Sequence, residues 1–346
     1  MKARAVPKEK NIIVGFDVGG AHLKAVRVED GRVVRAQTFA TPLWLGLDRL
    51  TAALGEAASI CAGAERAALT MTGELSDVFA SREEGVRGLL DIISMHVPVA
   101  DKLIYAGRAG YLDLAEAAGK AGDVASANWH ATASLVGRLA GDALFVDMGS
   151  TTTDILATNA SGVANEGYSD GERLLTGELV YTGFTRTFLF GVAASAPVGG
   201  RMTPLMNEYF ASMADAHRIL GVLDEADDKH NTADGKEKTR DASIARLARM
   251  VGRDAGDLPL RGWRDIAAWF SEQQLRMVHD AAIRVASRAA EDAPVVGAGT
   301  GRWQLKRLAE RMDRRYVNLA DIIPSEEAAR HEAINAAAAT AVALLL

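Results

Sequence analysis

Cysteine is almost absent: the 346-residue chain has one, Cys61. A single thiol excludes an intrachain disulfide framework and a cysteine-built zinc site, and it fits a reducing cytoplasm. Aromatic residues are scarce, at 6 %, and do not interleave with basic ones, so no nucleic-acid module is expected. The net charge of −6 disfavours nonspecific binding to nucleic acid or to an anionic membrane surface. Long apolar runs are missing too. Met1 to Lys10 is basic, but no apolar stretch of signal-peptide length follows. The Ala-rich run from Ala333 to Leu346 is too short for a membrane span and reads as a packed helix. There is no His-Glu-x-x-His, no Cys-x-x-Cys and no Gly-x-x-x-x-Gly-Lys-Ser/Thr, hence no such zinc motif and no P-loop. What is present is the balance of a globular protein, 49 % hydrophobic and 24 % charged, in a chain long enough for two domains.

The stretch Phe16-Asp17-Val18-Gly19-Gly20-Ala21-His22-Leu23-Lys24 follows the apolar run Ile12-Ile13-Val14. A strand ends in a carboxylate, turns at two glycines and returns as a second strand. Glycines let a backbone approach an anion and offer it N–H groups, and a carboxylate beside them can hold a divalent cation. The same grammar recurs at Leu144-Phe145-Val146-Asp147-Met148-Gly149-Ser150-Thr151-Thr152-Thr153-Asp154. The two aspartates are 147 − 17 = 130 positions apart. Two phosphate-facing hairpins imply a duplicated α/β protein with two lobes and a cleft. Lobe I is expected at 11–141 plus 331–346, and lobe II at 142–330.

The rest of the chain fills in this plan. Asp30-Gly31 predicts a tight turn between the second and third strands. Apolar spacing predicts helices over Asp48–Cys61, Ser81–Met95, Trp129–Leu139, Arg201–Leu223, Trp263–Glu291 and Trp303–Arg311, and a closing helix over Glu326–Leu346. A third strand of lobe II is expected near Gly162–Gly167. Pro294 to Gly301 reads as a strand ending in a Gly-rich turn. Residues 224–241 are almost entirely polar, a solvated loop or a lid over a charged substrate.

These parts resemble the actin-like ATPase superfamily, with its ribonuclease H-like duplicated mixed sheets flanked by helices. The Asp17 and Asp147 hairpins resemble its two phosphate motifs, and Val295-Val296-Gly297-Ala298-Gly299 its adenosine motif. Trp129–Gly137 and Glu332–Leu344 resemble its connecting helices. Within it, the two hairpins, Thr70-Met71-Thr72-Gly73-Glu74-Leu75-Ser76-Asp77 and Ala127-Asn128-Trp129-His130-Ala131-Thr132-Ala133 are similar to the hydantoinase/oxoprolinase-like branch. They resemble in particular its tetrahydromethanopterin-linked C1-transfer proteins. Archaeal members of that group make a furan-methanamine precursor of methanofuran.

The resemblance implies a transferase that joins an aminomethylfuran-methyl diphosphate to the phenol oxygen of γ-glutamyltyramine and releases diphosphate. It implies small-molecule substrates, a cytoplasmic enzyme, and neither nucleic-acid nor membrane partners; a homodimer is one assembly it allows. The phosphate oxygens would meet Gly19, Gly20, Ala21, His22, Gly149, Ser150, Thr151, Thr152 and Asp154. Asp17 and Asp147 would hold Mg²⁺, and Lys24 would add positive charge if strand alternation turns it inward. Glu74 or His130 would take the phenol proton, although a buried histidine also serves simply to pack. Trp129 is an aromatic wall or a core residue. Tyr181 and Arg186 line the cleft, or form a turn and a surface ion pair. Gly297, Ala298, Gly299 and Gly301 lie against a substrate or a nucleotide, or merely connect strand to helix. The rival from the same fold is an ATP-dependent kinase or an amidohydrolase-type hydrolase, in which Asp154 could activate a nucleophile. A non-catalytic, nucleotide-regulated interaction protein is the third reading.

Overall fold

The computed structural model describes residues 11–346; the basic stretch Met1–Lys10 lies outside them. Contacts divide the chain into two compact units. One comprises the residues up to 141, with 160–163 and 319–346; the other comprises 142–159 and 164–318.

The first unit is built on a six-stranded sheet. Its strands are β1 (Ile12–Val18), β2 (His22–Glu29), β3 (Arg32–Ala40), β4 (Arg66–Met71), β5 (Asp101–Tyr105) and β6 (Tyr111–Leu112), in the order β3-β2-β1-β4-β5-β6. β1, β2 and β3 run antiparallel, and β4 and β5 run parallel to β1. The Asp-Gly turn forms as predicted, with Asp30 at φ 47° and Gly31 at φ 77°, the left-handed pair that a two-residue hairpin requires. Alternation along β1 sorts its two faces. Val14, Phe16 and Val18 join a core with Leu50, Leu54 and Leu89 from the helices Asp48–Ala57 and Arg82–His96. Gly15, on the opposite face, meets the helix Ala337–Leu345. Cys61 is buried in the same core, and desolvation pushes its thiol up to about 11, so it stays an inert thiol.

The second unit repeats the plan. β7 (Ala143–Met148) and β8 (Thr153–Asn159) form the hairpin. Leu179–Val180 pairs antiparallel with β8, while Val295–Ala298 runs parallel to β7 and Tyr316–Asn318 runs parallel to Val295–Ala298. The duplication read from the two hairpins is therefore a duplication of strand order, and the α/β class with mixed sheets flanked by helices is borne out.

Four expectations need correction. The strand expected near Gly162 forms and pairs with β8, but it spans only Gly162–Val163, and Leu179–Val180 is the strand that extends the sheet beyond β8. Arg201–Leu223 is not one helix. Arg201–Pro204 pairs with Ser195–Val198 through Gly199 and Gly200, both at positive φ, and helix begins only at Met213, behind the reciprocal Ser212/Asp215 cap. The closing helix is broken at Ala336 (φ −108°, ψ 37°), where Arg330–Asn335 ends and Ala337–Leu345 starts. Finally, the 224–241 loop is not merely solvated. The buried Arg218 grips both carboxylate oxygens of Glu225 at 2.7 and 2.8 Å and reaches Asp228 at 2.6 Å. The fully buried Arg246 holds Asp234 at 3.1 Å and Asp215 at 2.8 Å. Charged groups seal this loop onto its unit because each buried cation has its anions in hydrogen-bonding reach. Among the described residues, no helix is long and apolar enough to cross a membrane.

Candidate active site

The first hairpin places an acid in an unusual setting. Asp17 is 3 % exposed. Its cross-strand partner is Lys24, whose Nζ donates to Asp17 Oδ2 at 3.0 Å, so alternation does turn the lysine toward the carboxylate. Asp17 Oδ1 is buried with no hydrogen-bond partner. The register neighbour of Asp17 on β4 is Thr70, and Thr70 Oγ1 is also buried without a partner. Just beyond β4, Thr72 N–H bonds Val18 O at 3.0 Å, and a Cβ on Gly73 would stand 3.1 Å from that same oxygen. That close approach sets Glu74 beside the turn. Glu74 is 2 % exposed; Oε1 accepts from Ser126 at 2.9 Å, and Oε2 has no partner. Ser126 adopts φ 54°, a left-handed conformation for a residue with a side chain. Burial holds the Glu74 carboxyl above the usual carboxylate range.

Three orphaned oxygens around one turn make it the candidate ligand site, because a buried polar atom without a partner is costly. The donor set is hard oxygen and includes one lysine-paired carboxylate. It fits a magnesium ion or its waters beside an anion. No cluster of three or more His, Cys, Asp or Glu side chains able to hold a metal exists among the described residues, so substrate oxygens or water would complete the coordination.

Both turns close in the same way. Gly19 N–H donates to His22 O at 3.0 Å, and Gly149 N–H donates to Thr152 O at 2.9 Å. Those two N–H groups are committed to the turns and are not the phosphate donors expected of them. The turn N–H groups of Gly20, Ala21, Ser150 and Thr151 have no protein acceptor among the described residues. They are the donors an anion would find.

The second hairpin differs in its charges. Where the first pairs Asp17 with Lys24, the second pairs Asp147 with Asp154. Asp154 is tied to the buried Arg173 at 2.5 Å, while burial pushes its carboxyl upward. That ion pair makes Asp154 a structural partner of Arg173 rather than a phosphate ligand. The Gly-rich turn packs directly on Asp147: Ala298 is its register neighbour, and a Cβ on Gly299 (φ 82°) would lie 2.4 Å from Asp147 Oδ1. Gly301 N–H bonds Met148 O at 2.9 Å. Gly297 is needed for another reason, since a Cβ there would meet the Tyr316 ring at 2.6 Å.

Behind the second turn, Phe184 N–H donates to Gly149 O at 2.9 Å and Arg186 N–H to Ser150 O at 2.8 Å. Gly183 allows this approach, because a Cβ would stand 2.4 Å from Thr151 N. Phe184 is itself held by His217, whose Nδ1 bonds Phe184 O at 2.8 Å and whose ring stacks on Phe184 at 3.9 Å. Desolvation lowers the His217 imidazole from 6.5 to about 4. Folded His217 therefore stays neutral where the unfolded chain takes a proton. Its stabilising contribution is present above pH 6.5 and is lost as pH falls toward 4, by up to about 3 kcal/mol. Urea midpoints at pH 7 and pH 5 should show this loss, and His217→Asn should flatten the slope between them.

His130 and Trp129 lie inside the first unit. His130 Nδ1 bonds the Tyr105 hydroxyl at 2.9 Å and Ser134 at 3.3 Å, and Trp129 packs edge-on against it at 5.3 Å. Both are under 10 % exposed, as interior packing residues are. Tyr181 and Arg186 are exposed and line one cavity of about 480 Å³ in the second unit. Thr151 lines it as well. Sequence patterns do not point to Phe188, Phe190 and Tyr209 in this cavity, and they offer Thr70 only as the first residue of a family-like run, with no site role. An aromatic residue at a cavity wall carries no local signature; the acidic run after Asp224, downstream of Arg218, is the only local hint of the cavity's far wall.

Residues 65–342 match the hydantoinase/oxoprolinase family. The chain belongs to that family. Within it, a protein from Methanocaldococcus jannaschii is 34 % identical over 248 residues, which is 71 % of this chain and 73 % of that one. It is described as (4-{4-[2-(gamma-L-glutamylamino)ethyl]phenoxymethyl}furan-2-yl)methanamine synthase. A protein of the same description from Methanococcus vannielii is 34 % identical over 115 residues, 33 % of this chain and 51 % of that protein. Among solved structures, a ROK family glucokinase from Streptomyces griseus, in complex with glucose and AMPPNP, aligns with TM-score 0.49 at 14 % identity, covering 97 % of this chain and 99 % of that one. In this hydantoinase/oxoprolinase family member the orphaned oxygens of Asp17, Thr70 and Glu74 belong to the first hairpin and the neighbouring β4, and the cavity lies behind the second hairpin.

Proposed function

We propose that the protein is a cytoplasmic transferase that makes the phenoxymethylfuran ether of a methanofuran precursor. The substrates are an aminomethylfuran-methyl diphosphate and γ-glutamyltyramine, and diphosphate leaves. The archaeal relatives' description supports the product. The observation that carries the reading is the set of unpartnered buried oxygens on Asp17, Thr70 and Glu74 beside a turn whose Gly20 and Ala21 N–H groups have no protein acceptor among the described residues.

The chemistry asks little covalent help. The methylene carbon next to a furan ring readily bears positive charge. The bond from that carbon to the diphosphate oxygen breaks, the phenol oxygen forms the new bond, and the phenol proton leaves. Developing charge on diphosphate would be met by the N–H groups of Gly20 and Ala21 and by Lys24. Asp17 would hold magnesium, which neutralises the leaving group when bound. Glu74 suits the proton: its elevated carboxyl is a better base than an ordinary glutamate and keeps one oxygen open. Glu74→Gln should lower kcat by roughly 10²- to 10³-fold. In the parent protein the acid limb of kcat/KM should lie above the ordinary glutamate range, because the base must be deprotonated and burial raises its pKa. A pH–rate profile in which the limb is unchanged by Glu74→Gln would remove it from this role.

The test of the reaction is purified protein with both substrates and Mg²⁺, without ATP. Diphosphate and the ether should appear together by mass spectrometry. Turnover that requires ATP and releases ADP would instead favour the kinase-like reading, for which the Gly-rich turn seated on Asp147 is the supporting feature.

A further inference from the structure

The cavity of the second unit has a wall that a phosphate does not need. Phe188 and Tyr209 stand with ring centroids 4.2 Å apart, and Phe190 lies 5.5 Å from Phe188. Phe188 and Tyr209 are each 41 % exposed, and Tyr181 is 69 % exposed. In a chain with 6 % aromatic residues, four of them gathered on one cavity give it an unusual share of apolar ring surface. The charges behind that wall are already matched. Asp215, Arg218 and Asp228 line the cavity but bind one another or neighbouring groups, so they set its shape. Arg186 is different: it is exposed and has no ion pair among the described residues.

The backbone orders these features. Arg186 N–H is anchored on Ser150, so Arg186 and Thr151 form the end of the cavity at the turn of the second hairpin. His230, Asn231 and Thr232 come from the loop that Arg218 and Arg246 pin in place. The aromatic side chains complete the lining. A volume of about 480 Å³ suits a ring with an extended polar arm.

We propose that this cavity is the acceptor site: it binds a para-substituted phenol carrying a polar amino-acid arm. The ring lies against Phe188 and Tyr209, the phenolic oxygen points to the Thr151/Arg186 end, and the arm meets His230, Asn231 and Thr232. The assignment rests on the proposed ether synthesis, which supplies γ-glutamyltyramine as the acceptor. It makes Phe188 and Tyr209 determinants of acceptor specificity, and it gives the pinned loop a use as the wall that reads the arm.

The experiment separates the site from the reaction. Binding of γ-glutamyltyramine to the full chain is measured by calorimetry without the furan diphosphate. Phe188→Ala and Tyr209→Ala should each weaken it about tenfold or more, with Phe188→Leu and Tyr209→Phe much milder. Tyramine, which lacks the arm, should bind more weakly and be indifferent to Asn231→Ala. In turnover, the alanine variants should raise the acceptor KM and leave the donor KM within about twofold. Circular dichroism checks that each variant is folded. Unchanged acceptor affinity in both alanine variants, a rise in donor KM instead, or no acceptor binding by the parent protein would overturn the assignment. Ether formation with unaltered acceptor KM in the variants sinks the cavity but keeps the reaction. Phe188-dependent acceptor binding without ether formation does the reverse.

Discussion

Asp17→Asn should leave a folded protein with turnover reduced by roughly 10³-fold or more. Asparagine has nearly the volume of aspartate, so the buried site on β1 is not emptied. What changes is charge. Lys24 Nζ, now 3.0 Å from Asp17 Oδ2, loses that carboxylate, and the site loses the only acid on the strand. The Lys24 side chain is 32 % exposed, so water screens much of its charge and the stability penalty stays at about 1 kcal/mol. The catalytic penalty is not screened in this way. Asp17 Oδ1 has no protein partner to lose, and under the proposed reaction its partner arrives with the substrate or its metal. The measurement is kcat beside a thermal midpoint for the same preparation. A variant with near-parental kcat would remove Asp17 from the machinery, and one that fails to fold would show a structural acid instead.

That asymmetry between fold and site also explains what can be read from residues alone. The hairpins are legible because each has a local signature: an apolar run, an acid, glycine, then hydroxyls or small residues. The equivalence of Asp17 and Asp147 follows from spacing. Lys24 and Asp154 occupy equivalent places across the two strand pairs, yet one is a cation facing an acid and the other an acid facing an acid. The buried Arg173, on the helix Asp170–Thr176, offsets the charge of Asp154 in the second pairing. No local pattern predicts that partner. The same holds for Thr70. Its sequence context is an ordinary buried strand, and it gains interest only through its register with Asp17. Helix lengths fail where periodicity runs across breaks. The strand Arg201–Pro204, ending in proline, interrupts one pattern, and Ala336 interrupts another that alanine's helix propensity makes look continuous. The pinned loop escapes a reading by composition, because charge density alone cannot distinguish a solvated run from anions seeking two buried arginines.

Gly15→Ala tests the opposite kind of residue, one that holds the site without touching it. On β1, Gly15 lies between the buried Val14 and Phe16 and faces the helix Ala337–Leu345. A Cβ there would lie 2.0 Å from Ala339 O and 2.9 Å from Ala343 Cβ. The obstructing atom is helix backbone, which cannot swing aside as a side chain tip can. The helix would have to withdraw by more than an ångström, uncovering alanines that are fully or nearly buried from Ala338 to Ala343. A cost of about 3 kcal/mol or more is expected, at the upper end for overpacking a tight interior. Gly20→Ala in the turn of the same hairpin is the control: its Cβ would meet nothing within 4 Å, and its urea midpoint should stay close to the parent's. Because Asp17 sits two positions beyond Gly15 on the same strand, the Gly15 variant should lose activity in step with folded fraction and not ahead of it. Equal midpoints for the two glycine variants would mean that the helix does not press on β1, and that Asp17 owes its buried position to something else.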